Sequence, residues 1–273
     1  MLDLISFQFI QNAIFAAFLI SIASGIIGTI IVSSKYVFLS GAVAHSSLGG
    51  IGVALYFGFS TMLGAAITSV AMSFILLYYT INKKENIDAL IATLWAFGMA
   101  LGIILIDITP GYGADLSSYL FGSILSVSRM DIAVFIIYDF ILIIFISLFY
   151  REVLSVLYDE IYCKIRGIDI NGFLLIIFIL ISLGIVISMS IAGLVLILAM
   201  LSIPAYISNM FVKSLKSMML ISSLLSFLFI SSGFIMSYIY NLTIGACVVM
   251  SAVVFMMLAH LIKLITRNIH GAK

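Results

Sequence analysis

Long apolar runs broken by short polar connections dominate the chain. They fall at about 10–32, 37–57, 61–81, 88–107, 131–150, 171–190, 193–211, 218–239 and 243–264. Each approaches the roughly 20 residues with which an α-helix crosses a hydrocarbon layer. Lipid offers backbone groups no hydrogen-bond partner, so the runs are expected to be helical. An outer-membrane barrel would show alternating segments of about ten residues, whereas these runs are continuous. The pattern predicts an all-α polytopic membrane protein with nine spans, within a bracket of eight to ten, and its least marked break is Met189–Gly193.

Two connections are longer than turns. Asp107–Met130 contains Pro110-Gly111-Tyr112-Gly113 and then an apolar piece, Leu116–Val127, that is too short to span and predicts a re-entrant or interfacial helix. Arg151–Asn171 is the other. In it Asp159 and Glu160 open a short helical pattern that Gly167 is placed to close. Tyr158, Ile161, Tyr162 and Ile165 fall on one face, and Glu160 and Lys164 make an i,i+4 pair on another. Such a helix either lies on the membrane surface or docks a cytoplasmic partner.

Composition narrows the class. Hydrophobic residues are 64% of the 273 and charged ones 8%, too few charges to cover a water-facing surface. That excludes a soluble enzyme, a basic nucleic-acid binder and a disordered chain. Nine spans leave no room for a separate soluble domain, so residues 1–273 are expected to form a single transmembrane domain. Met1–Gln11 lacks the basic segment of a cleavable signal peptide, and the first run is expected to be retained. Cys163 in a polar connection and Cys247 in an apolar run are poorly placed for a disulfide.

Charge then orients the chain. Lys35, Lys83, Lys84, Arg151, Lys164, Arg166, Lys213, Lys216, Lys263, Arg267 and Lys273 fall in alternate connections or the tail, and of the 12 basic residues only Arg129 falls elsewhere. The positive-inside rule places the N-terminus outside and the C-terminus in the cytoplasm.

Few residues within the spans carry chemistry. His45 lies about nine residues into the second span, roughly 13–14 Å deep at 1.5 Å per residue. That is close to the midplane, where an ionisable group is costly and usually faces a partner or an aqueous path. Its helical neighbours Gly41, Ala42, Gly49 and Gly52 are small, which suits close helix packing or leaves space for solvent, and Ser46 and Ser47 add hydroxyls. An imidazole suits zinc and related transition metals, and an incomplete, weak site suits an ion that must also leave. Asp139 is the second intramembrane candidate, as a packing carboxyl or a minor contributor to a path. Gly98 and Gly102 form a Gly-x-x-x-Gly that marks close packing. Neither a phosphate-binding Gly-x-x-x-x-Gly-Lys-[Ser/Thr] nor a His-Glu-x-x-His occurs, so hydrolysis of ATP would have to come from another subunit.

These segments together resemble one family: the membrane permease subunit of ABC importers for zinc and manganese, related to the cobalamin and siderophore permeases. Leu39 to Gly50, with Ala44-His45-Ser46-Ser47-Leu48, is similar to its histidine signature. Tyr119-Leu120-Phe121-Gly122-Ser123-Ile124-Leu125 is similar to its outer gating helix, and Tyr158-Asp159-Glu160 to Arg166-Gly167-Ile168 to its coupling loop. Glu85 and Asp88 to Gly102, and Ala192 to Ala205, complete the order. The family's Asp four residues before the histidine, a metal ligand there, is Gly41 here.

The resemblance implies a type II importer permease in the cytoplasmic membrane, with a coupling loop at about 151–170 and an outer gate at about 115–127. It also implies a homodimer, two ATPase subunits on the cytoplasmic side, an extracytoplasmic metal-binding protein, and no permanently bound cofactor. The cargo would be a divalent transition metal, zinc favoured over manganese or iron by the wording around His45. The rival is a stand-alone secondary transporter coupling flux to an ion gradient through His45 and Asp139.

Overall fold

The computed structural model describes residues 7–34, 36–82, 87–109, 122 and 124–271. Among them the chain forms α1 (Gln8–Ser33), α2 (Val37–Phe57), α3 (Thr61–Asn82), α4 (Ile87–Asp107), a 3-10 turn (Ile124–Ser126), α5 (Arg129–Leu148), α6 (Tyr150–Tyr158), α7 (Glu160–Arg166), α8 (Ile170–Ala192), α9 (Leu194–Phe211), α10 (Leu215–Tyr240) and α11 (Ile244–Gly271). No strand occurs among the described residues. Nine of these helices, all but α6 and α7, are long and apolar enough to cross a membrane, as the hydropathy pattern predicts.

Helix ends follow local chemistry. Ser128 caps α5 reciprocally with Asp131: its hydroxyl accepts the Asp131 N–H at 3.1 Å, and the carboxylate accepts the Ser128 N–H at 3.0 Å. The Met189–Gly193 break is genuine: Gly193, at φ +82° and ψ 158°, separates α8 from α9 in a conformation open to glycine. One helix, α6, goes unforeseen by the hydropathy pattern, which continues the fifth span to 150. A bend at Phe149 ends the span, and Val153 and Val156 turn inward on a short amphipathic helix.

The spans pack as two groups. In one, α2 is flanked by α3 and α4, with α8 on α3; in the other, α1 is flanked by α9 and α10, with α11 on α9 and α10. Residues touching lipid are large and apolar, among them Ile67, Phe97, Ile137, Leu224 and Met257. Lipid tails are as apolar as leucine, so helix association rests on close contact and on hydrogen bonds rather than on burial from water. Both occur here. Gly25 of α1 meets the Ser223 backbone of α10 and Gly28 meets Leu201 of α9. Buried hydroxyls tie the same helices, with Thr29 donating to Ser222 at 3.3 Å and Ser222 to Ser208 at 3.0 Å. Ser73 of α3 and Ser182 of α8 pair at 2.6 Å.

Connections meet as the alternation of basic residues requires. The Lys216 N–H at the start of α10 donates to the Tyr150 hydroxyl of α6 at 3.2 Å, so the Lys213–Lys216 and Arg151–Arg166 segments share one end of the bundle. At the opposite end Asn12 of α1 donates to the Val127 carbonyl at 3.2 Å. Neither Cys163 nor Cys247 forms a disulfide.

Candidate functional site

The site is built on the contact between α2 and α4. Gly41, His45, Gly49 and Gly52 recur along one face of α2; Trp95, Gly98 and Gly102 recur along the facing row of α4. A Cβ at Gly49 would stand 3.0 Å from the Gly98 carbonyl oxygen, and one at Gly52 2.7 Å from that of Gly102. From the other side, a Cβ at Gly98 would collide with the Ser46 backbone and one at Gly102 would lie 2.6 Å from the Leu48 carbonyl. Of the two readings of these glycines, close packing is what they do: backbone lies on backbone. A second seam, Gly50 against Gly64, locks α2 to α3.

Above the glycines the seam holds its two rings. His45 is 7% exposed, and its imidazole stacks on the Trp95 indole with centroids 4.1 Å apart and planes 16° from parallel. Gly41 makes room for this, since a Cβ there would stand 2.9 Å from Trp95 Cζ3. His45 Nδ1 is buried and has no hydrogen-bond partner. An orphaned polar atom of this kind costs about 1–3 kcal/mol, which a native structure tolerates where the group has another use. Ser46 and Ser47 turn their hydroxyls to their own helix, donating to Val43 at 3.1 Å and to Ala44 at 2.7 Å, and Ser47 also lies 3.5 Å from Met189 Sδ. Among the described residues no three His, Cys, Asp or Glu side chains converge, so the arrangement offers an ion a single nitrogen rather than a closed cage.

Asp139 stands elsewhere. It lies on α5, which packs on α1 and α8, while His45 lies between α2 and α4. Its carboxylate is buried, and neither oxygen has a hydrogen-bond partner. Its neighbour Tyr138 donates to the Leu180 carbonyl at 2.7 Å and presses its hydroxyl against Gly184 of α8.

The segment between α5 and α8 is ordered as two helices. Asp159 accepts the Tyr162 N–H at 2.9 Å and so caps α7; Gly167, at φ +68°, closes it. Tyr158, Ile161, Tyr162 and Ile165 are all exposed, Ile165 at 80%, and the Arg166 guanidinium lies 5.5 Å over the Tyr162 ring. The Glu160 side chain lies outside the described residues, so its pairing with Lys164 does too. Beside these helices a cavity of about 320 Å³ is lined by Ser34, Tyr36, Val156, Leu157, Tyr158, Ile170 and Leu174, which joins α6 to the α1–α2 connection.

Of the sequence-predicted outer gate, Tyr119, Leu120 and Phe121 lie outside the described residues; Gly122 does not. It has φ +64°, and a Cβ there would run into the Ala192–Gly193 backbone, so the segment is seated on the break between α8 and α9. The end of the predicted interfacial helix is the 3-10 turn, with Ile124 and Val127 buried.

Trp95 is the residue that inspection of the sequence passes over. The available signal is its uniqueness as the chain's single tryptophan and its phase with Gly98 and Gly102.

Comparison with known proteins gives one consistent result. A family model described as the ABC 3 transport family matches residues 6–263. An uncharacterized membrane protein of Synechocystis sp. is 39% identical over 268 residues, covering 98% of this chain and 94% of that one. The manganese transport system membrane protein MntC of Halalkalibacterium halodurans is 32% identical over 191 residues, covering 70% of this chain and 65% of the relative. Among solved structures, PsaBC from Streptococcus pneumoniae in complex with Fab superposes with a TM-score of 0.84 at 28% identity, covering 94% of this chain and 93% of that chain.

Proposed function

Because the chain belongs to the ABC 3 transport family, we propose that it is the pore subunit of an ATP-driven importer that carries a divalent transition metal ion through the cytoplasmic membrane. The observation that carries the reading is the orphaned Nδ1 of His45, an imidazole buried about 12 Å along α2 with no structural partner for that nitrogen. Relatives named as manganese transport proteins support manganese as the cargo. The donor chemistry supports zinc, because a lone imidazole beside no carboxylate suits zinc better than manganese. Metal is substrate here, and the chain catalyses no covalent step.

In this reading residues 1–273 are one permease domain with the basic end of the bundle in the cytoplasm, and two copies enclose the path. Two ATPase subunits seat on α7, whose exposed Ile161, Tyr162 and Ile165 offer an apolar face outside the span region. An extracytoplasmic binding protein delivers the ion near Gly122. The likeness to a complex named PsaBC supports a partnered permease over a stand-alone secondary transporter.

The test is metal uptake by the purified complex in proteoliposomes, with zinc and manganese in competition. His45→Ala is expected to abolish or greatly slow ATP-driven uptake while the complex still elutes as one species. Normal uptake in that variant would remove His45 from the path, and uptake by the lone chain without ATP would return the secondary-transporter reading.

A further inference from the structure

Three features of the α2–α4 seam go unused by the transport reading. First, Trp95 is the ninth residue of α4, about 12 Å in, far from the interfacial depth at which tryptophan collects. Second, it lies flat on the imidazole at 4.1 Å instead of turning its edge to it. Third, its ring fills the space that Gly41 leaves, and the glycine pairs Gly49–Gly98 and Gly52–Gly102 hold the two backbones together just beyond the stack. The rings are therefore clamped where a cation would have to reach His45.

We propose that Trp95 is a gate residue: its indole, seated over Gly41, covers the face of His45, and an ion reaches the imidazole only when the ring leaves the stack. The proposal rests on the reading of His45 as a point on the path. An apolar plug at a constriction stops ions because it offers no ligand to replace their water. Here the plug is a single ring, and residue 41 decides whether the ring fits. Any side chain at 41 pushes against Cζ3, so Gly41 and Trp95 form a matched pair.

The chain's only tryptophan is its own reporter. In the full-length permease in lipid nanodiscs, the emission of Trp95 is quenched by the stacked imidazole. His45→Ala and Gly41→Ala are both expected to raise it, the first by removing the quencher and the second by displacing the ring. In proteoliposomes holding the whole complex without ATP, Trp95→Ala is expected to raise passive entry of Zn²⁺ or Mn²⁺ several-fold, whereas Trp95→Phe, which keeps a ring, stays near the wild-type rate. Gly41→Ala serves as the second variant if Trp95→Ala fails to assemble: brighter emission should accompany faster entry. Passive entry unchanged in an assembled Trp95→Ala, or brighter emission without entry in Gly41→Ala, overturns the gate. The two failures are separable. ATP-driven uptake insensitive to His45→Ala removes the path reading, while sensitivity to His45→Ala combined with a tight Trp95→Ala removes the gate alone.

Discussion

His45 and Asp139 look alike along the chain, each an isolated polar residue in an apolar helix, and only their surroundings separate them. His45 sits in a seam built of glycines with an aromatic ring over its face; Asp139 sits against bulky α1 and α8 with Tyr138 alongside. A carboxylate with no hydrogen-bond partner gains nothing from its charge, and an amide of the same shape fills the same space. Asp139→Asn is therefore expected to leave metal uptake unchanged and thermal unfolding in detergent equal or slightly later; loss of uptake would place Asp139 on the path. That His45 matters was legible from its depth alone. Trp95 was not, because a tryptophan in an apolar run is unremarkable until the register between two helices is known. Register is set by Gly98 meeting Ser46 and Gly102 meeting Leu48, a fit between backbones that neither helix states by itself.

Elements were the most legible level. Nine runs predicted from hydropathy became nine spans with ends shifted by a few residues, since membrane thickness leaves helix length little freedom. The exception is α6. Its signal was hidden because Val153 and Val156 supply only a narrow inward stripe next to a much stronger apolar run. For α7 the cap, the closing glycine and the exposed face all follow the local pattern. Its function is testable at this scale. Changing Tyr162 and Ile165 together to Asp is expected to release the ATPase subunit on a sizing column while the permease itself keeps its unfolding temperature, because both side chains are exposed and hold nothing inside the chain. A complex that survives the double change would leave α7 a surface helix.

At the scale of the molecule, the arrangement makes an orientation prediction. A fluorescent-protein fusion after Lys273 should fold and fluoresce in the cytoplasm, and alkaline phosphatase inserted at Ser60, in the α2–α3 connection, should be active outside. The reverse pattern would invert the assignment of the basic end. The seam also limits how such a molecule can move. Backbone atoms of α2 touch α4 through Gly49, Gly52, Gly98 and Gly102, and touch α3 through Gly50 and Gly64. Side chains can slide and change rotamer, but carbonyls in van der Waals contact cannot pass one another without parting the helices. The second span therefore has no independent swing: α2, α3 and α4 travel as one plank. Any opening of the pore must be hinged where the plank meets its neighbours through longer side chains, and the histidine at its centre is carried along rather than turned.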